Sequence, residues 1–214
     1  YEPAVLARKP LDGTVAQNVS RWGTGAINID GCRYGYGDPA WPGPGEAPPV
    51  GRSGASAGSR IGISVTRAGA WHVPDLGRWP ANVYACPKAS RAEREFGCEG
   101  LPSVSGFEAV DREEGAAGVS SPRAGAGRTA DRVHNHHVTV KPLAVMRWLV
   151  RLVTPPSGLV LDPFCGSGTT IAAAVLEGFD AVGMELSEEY ARIARARVAA
   201  WERTDDARQI NLFG

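Results

Sequence analysis

The chain has 214 residues, 43% hydrophobic and 21% charged, enough for one domain or a domain with a smaller lobe, which excludes a coiled coil, a collagen or a wholly disordered tail. Its 23 Lys and Arg balance 23 Asp and Glu, so a nucleic-acid site would have to be local rather than a property of bulk charge. Cys32, Cys86, Cys98 and Cys165 lack CxxC spacing and no secretory signal precedes them, so a reducing cytoplasm and a chain without a metal site are expected. The best apolar run, 143–153, is interrupted by Arg147 and Arg151; no membrane span is predicted.

The segment Val5, Leu6, Ala7 reads as a strand, and residues 1–36 as ordered, Gly-rich and poor in helix. From Asp38 to Gly62 closely spaced prolines with Gly, Ser and Ala predict a loop. Residues 71–84 regain apolar and aromatic weight, 105–132 lapse again, and RAEREFGCEG (91–100) reads as a solvated helix. Pro142 stands where a helix would begin, followed by Leu143, Met146, Leu149, Val150 and Val153 at helical spacing. Leu159, Val160 and Leu161 predict a short buried strand, Gly166 to Gly168 a tight turn, 169–177 an Ala-rich helix, and 181–184 a second, parallel strand. Ser187 is a good N-cap, with Tyr190, Ile193, Ala194, Val198 and Trp201 forming the stripe of a last helix.

The chemistry is concentrated in Leu161-Asp162-Pro163-Phe164-Cys165-Gly166-Ser167-Gly168-Thr169-Thr170, where a strand enters a Gly-rich turn that opens a helix. Glycines let backbone approach a ligand, and the N–H groups of a helix start can receive polar atoms. Glu185, at the end of the next strand, is placed to accept both hydroxyls of a ribose. A nucleoside cofactor is therefore expected, and the missing third glycine argues against a dinucleotide. His134, His136 and His137 with Cys86 and Cys98 have no zinc-finger spacing, and Cys165 occupies a turn position where a small residue suffices.

The element DPFCGSGTT (162–170), preceded by HHVTVKP (136–142), resembles the amino-group DNA methyltransferases in their permuted beta class, which carry H-P-T-x-K-P before D-P-F-x-G-S-G-T-T. YEPAVLARKP, RWGTGAINIDGCR and GRWPANV are similar to further segments of that family. The resemblance implies an α/β, Rossmann-like fold with a loop-rich inserted recognition lobe, and S-adenosylmethionine as cofactor. It implies cofactor contacts by Thr139, Lys141, Asp162, Phe164, Gly166, Ser167, Gly168, Thr169 and Glu185. The implied activity is methyl transfer to the exocyclic amine of a base in double-stranded DNA, adenine N6 favoured over cytosine N4. Three regions follow: 1–37, a methyltransferase-core remnant and the start of recognition; 38–138, the recognition lobe; and 139–214, the cofactor half.

Two departures stand out. Val138 replaces the family's proline, loosening the entry to the Thr139 turn. More seriously, the catalytic Asp/Asn/Ser-Pro-Pro-aromatic tetrapeptide is absent: the nearest strings are Thr154-Pro-Pro-Ser157 and Ala47-Pro-Pro-Val50. Its first side chain would accept from the target amine and its ring would stack on the flipped base. The chain is thus expected to be the C-terminal portion of a longer enzyme, completed by an N-terminal segment or a homodimer partner, with little turnover alone. The rival is a non-catalytic DNA-binding or regulatory remnant; a small-molecule or RNA methyltransferase would leave the resemblance of residues 1–100 unexplained. For DNA, Arg21-Trp22 and Arg78-Trp79, with Arg33 and Asn82, pair cations with rings in a stretch (1–91) holding ten Lys and Arg against six Asp and Glu.

Overall fold

The computed structural model describes residues 3–34, 80, 86–105, 108 and 132–204. The predicted loop at 38–62, nearly all of 71–84 and most of 105–132 lie outside them. Packing divides the chain into two units, 1–28 with 86–214, and 29–85. Residues 86–105 and the N-terminal stretch therefore belong with the α/β half, whereas composition groups them separately.

In the first unit the expected strand at Val5 to Ala7 is not formed, and Val5 and Leu6 are exposed with no strand beside them among the described residues. The expectation of little helix is also corrected, since α1 spans Val15–Trp22. Thr14 and Gln17 close a capping box, and Gly23 ends the helix in the left-handed region at φ 68°. Val15, Val19 and Trp22 stand at helical spacing on α1 but are exposed, and its buried residue is polar. The buried Asn18 accepts from the Asp12 N–H at 2.9 Å and donates to the Thr24 carbonyl at 2.8 Å.

Helix α2, Arg91–Glu95, is capped by Ser90. The solvated helix expected at 91–100 is confined to this turn and a half, and its carboxylates are engaged. Glu95 accepts from the N–H groups of His134 and Asn135, and Glu93 from that of Leu143. Helix α3 spans Leu143–Val153, with Pro142 as N-cap rather than first helical residue. Strands β1, Leu159–Asp162, and β2, Asp180–Gly183, pair in parallel with Val160 opposite Ala181. Helix α4, Thr169–Leu176, connects them, and α5, Glu188–Glu202, follows with Ser187 as N-cap. This is a β-α-β unit with a following helix, a partial Rossmann-like sheet.

The core joins Leu143 and Val150 of α3 to Ala172, Ala173, Ala174 and Leu176 of α4, with Val160, Phe179, Ala181, Val198 and Trp201 packed on it. Alanines on α4 let both neighbouring helices approach closely. One expectation fails here: β1 is not buried on both sides. Leu159 and Leu161 are 64% and 58% exposed, and Val182 and Met184 also face outward. A parallel strand is fully covered only when elements pack on both faces, and among the described residues only the Val160 and Ala181 side is covered. No helix among them is long and apolar enough to cross a membrane.

At the far end of α4, Glu177 accepts from Arg147 at 2.6 Å and from Arg151 at 2.6 and 2.8 Å. Burial alone would raise its carboxyl, but these two guanidinium groups outweigh it and hold the group below the ordinary carboxylate value. A carboxyl whose folded-state pKa is depressed contributes stability above its unfolded pKa and loses it as pH falls through the folded value. Glu177→Gln is expected to lower stability by about 1–2 kcal/mol at neutral pH, the partial exposure of both arginines keeping it below a fully buried pair. The difference from the parent should shrink as pH falls below the carboxylate range. Urea denaturation across pH 3–7 measures it, and a pH-independent difference would contradict the assignment.

Candidate functional site: the glycine turn between β1 and α4

The turn forms at the carboxyl edge of the parallel sheet, where open α/β folds present their ligand crevice. The ladder continues past the strand ends: Met184 N–H donates to the Asp162 carbonyl and Cys165 N–H to the Met184 carbonyl, both at 2.9 Å. Asp162 also accepts from the Phe164 N–H at 3.1 Å through its side chain, and the Phe164 ring is 86% exposed. Gly166 and Gly168 then take left-handed φ values of 52° and 78°. A Cβ at Gly168 would lie 3.0 Å from Cα and Cβ of Ala194 on α5, and one at Gly166 would lie 2.6 Å from His137 Nε2. Both positions need glycine for conformation and for space.

Glu185 folds back over this turn. Its carboxylate accepts from the Gly166 N–H at 3.0 Å and from the Ser187 N–H at 2.9 Å. The Ser187 amide, with the Gly166 amide and His137, holds the carboxyl below its ordinary value against the opposing effect of desolvation. It is thus ionised at neutral pH. Asp162 and Glu185 stand at the ends of neighbouring parallel strands with the turn between them.

The segment before α3 forms a wall beside the turn. His137 Nδ1 accepts from the Thr139 N–H at 3.2 Å, its backbone N–H donates to Asn135 at 3.1 Å, and its ring meets Tyr190 edge-on at 4.6 Å. Burial lowers the His137 imidazole below its usual value, with Glu185 pulling the other way; the ring is neutral at neutral pH. Thr139 and Lys141 are exposed on the same segment. Ser167 and Thr169 are buried, and their hydroxyls accept from Arg197 of α5 at 3.2 and 3.1 Å. They support the turn from beneath. Burial, with Asp162 and Glu185 nearby, pushes the Cys165 thiol up, so it carries no thiolate for nucleophilic chemistry. Among the described residues no group of three or more His, Cys, Asp or Glu could hold a metal ion.

His137, within the 136–142 element, Tyr190, on the apolar stripe of the last helix, and Arg197 all stand at the turn, a placement that the sequence motifs do not assign. A signal existed for the last: Arg197 falls at helical spacing on the same face as Tyr190, Ile193 and Ala194, where a charge is out of place unless it is bound.

Of the six expected DNA contacts, Arg21, Trp22 and Arg33 are among the described residues. Arg21 pairs with Asp12 at 2.5 Å and lies 5.4 Å from the centre of the Trp22 ring, which is itself 60% exposed. Arg33 pairs with Asp30 at 2.7 Å and belongs to the second unit. Arg78, Trp79 and Asn82 lie outside the described residues.

A family model described as DNA methylase, the N6/N4 methylase family, matches residues 70–196, more than half of the chain. The chain is 41% identical over 64 residues to the type II methyltransferase M.ScaI of Streptomyces caespitosus, which covers 30% of this chain and 21% of that protein. It is 35% identical over 65 residues to the DNA adenine methyltransferase YhdJ of Escherichia coli K12, covering 30% and 22%. Among solved structures, the M1.HpyAVI complex with SAM shares 40% identity over 29% of this chain and 30% of that one, with a TM-score of 0.28. The match spans less than a third of the length of these relatives. By the family match over residues 70–196, with the glycine turn, Asp162 and Glu185 falling inside it, the chain belongs to the N6/N4 DNA methylase family.

Proposed function

We propose that the first unit is the S-adenosylmethionine-binding half of a DNA methyltransferase that methylates an exocyclic base amine, adenine N6 favoured over cytosine N4. The observation that carries this reading is the ionised Glu185 tethered to the Gly166 amide at the carboxyl edge of β1 and β2. The donor set fits the cofactor. A carboxylate that spends one lone pair on each of two amides retains acceptor capacity for two ribose hydroxyls. The glycine turn leaves backbone open to a polar ligand, Asp162 supplies a second acidic group for an ammonium, and the exposed Phe164 ring gives an apolar wall. Thr139 and Lys141 complete the proposed contacts from the His137 segment, while Ser167 and Thr169 act through the shape of the turn.

When bound, S-adenosylmethionine would supply a methyl group on a sulfonium. This chain's residues would fix the cofactor's orientation, and orientation is a large part of the barrier for transfer to a neutral amine. The groups that accept from that amine would come from a segment supplying an Asp/Asn/Ser-Pro-Pro-aromatic sequence, which the 214 residues lack. The outward apolar face of β1 and β2, with Leu159, Leu161, Val182 and Met184 exposed, supports a methyltransferase core completed by such a segment or by a second copy. A double-stranded DNA substrate, in the cytoplasm, follows from this reading, with Arg21 and Trp22 as described contributors and Arg33, Arg78, Trp79 and Asn82 as further candidates.

Titration with S-adenosylmethionine by calorimetry should give saturable binding that Glu185→Ala weakens at least tenfold with the fold intact; equal binding by parent and variant would overturn the cofactor reading. In a DNA-binding assay across 50–200 mM salt, Arg21→Glu with Arg78→Glu should weaken binding and flatten the log–log salt slope by about one unit for each phosphate no longer neutralised. An unchanged slope would remove these residues from the DNA face.

A further inference from the structure

We infer that Arg197 is the positioning residue of the cofactor turn, a guanidinium that sets the backbone of Gly166 to Thr169 without touching the ligand; this rests on the proposed cofactor site. Arg197 has no exposed surface, yet each of its hydrogen bonds among the described residues goes to a neutral oxygen. Nη1 donates to the Ser167 carbonyl at 2.7 Å, the Ser167 hydroxyl at 3.2 Å and the Thr169 hydroxyl at 3.1 Å. Nη2 donates to the Glu93 carbonyl of α2 at 3.3 Å. Its Nε has no partner among those residues. The adjacent Cys98 is no counter-ion, because burial raises its thiol to about 11.

Burying a charge whose hydrogen bonds go to neutral oxygens is costly: burial lowers the Arg197 pKa, and the nearby carboxylates of Glu93 and Glu95 offset this only in part. A methionine or leucine would fill the same space at less expense if packing were the whole role. What the guanidinium adds is a planar set of donors in fixed directions. One arm holds the Ser167 carbonyl and Thr169 hydroxyl, which bracket Gly168. The other holds the carbonyl of Glu93, whose carboxylate accepts from the Leu143 N–H; Glu95, further along α2, binds His134 and Asn135. Arg197 thereby links the glycine turn from beneath to α2 and, through it, to the segment bearing His137. The two sides of the proposed cofactor site share this one side chain.

The test compares the parent chain with Arg197→Met, Arg197→Lys and, as a control remote from the turn, Glu177→Gln, each verified as folded by circular dichroism and matched for fraction folded by temperature. Binding of S-adenosylmethionine is read by calorimetry, and local order by hydrogen exchange of the 166–172 amides. Arg197→Met should weaken binding at least tenfold and accelerate exchange within 166–172 selectively. Arg197→Lys, keeping one charged donor toward Ser167 and Thr169, should recover part of the affinity yet stay at least threefold weaker than the parent. Glu177→Gln should bind within twofold of the parent. If Arg197→Met does not fold, the lysine variant decides alone. Either variant binding within twofold of the parent while folded, or a loss matched by Glu177→Gln, would overturn the positioning role. A parent chain that shows no saturable binding would instead overturn the cofactor reading itself.

Discussion

The turn from β1 into α4 is the constraint from which the rest of the site follows. It has to reverse the chain within a few residues while lying against α5 on one side and His137 on the other, and the 3.0 Å and 2.6 Å approaches at Gly168 and Gly166 leave no room for a side chain. Once the glycines are fixed in the left-handed region, the Gly166 amide points where Glu185 can accept from it. The N-terminus of α4 then opens at the sheet edge. The same packing brings Arg197 under the turn. The shape of the turn, the reach of Glu185 and the approach of α5 are consequences of one another.

Much of this half was legible because its signals are local. Ser187 as N-cap, Gly178 after α4, the parallel pair at 159–162 and 180–183 and the glycine turn itself are each set by residues close in sequence. Other elements differ from what their sequence suggests, for identifiable reasons. Helix α1 carries only Val15, Val19 and Trp22 at helical spacing, all three exposed; over eight residues that pattern is short, and the stronger signals are Thr14, Gln17 and Gly23, a capping box and a left-handed end. Val5 to Ala7 has the composition of a strand, but a strand exists only when another pairs with it. The outward face of β1 is invisible in Leu159-Val160-Leu161, which reads as fully buried whichever face is covered.

The candidate site residues divide the same way. Asp162, Gly166, Gly168 and Glu185 lie within a single motif and its following strand, and the geometry gathers them at one sheet edge. His137 opens the H-x-T-x-K-P element, but its place against Gly166, like that of Arg197 under Ser167, comes from contacts between residues about 30 apart, which no short motif encodes. The contribution of α2 is subtler still: its carboxylates look like ordinary surface charge until the N–H groups of 134, 135 and 143 are found on them. Of the proposed DNA contacts, Arg21 and Trp22 belong to the first unit and Arg33 to the second; sequence gives no local code for such contacts, which are specified by side-chain geometry.

The central claim is that the Gly166 to Gly168 turn and Glu185 form the S-adenosylmethionine site. Its most direct test is an NMR titration of the nitrogen-15-labelled chain with the cofactor, following individual amides. The account predicts saturable shifts concentrated at Gly166, Gly168, Glu185 and Ser187, with the α3 amides near Glu177 unmoved. Saturable shifts centred elsewhere, or no shifts from a folded chain, would contradict it.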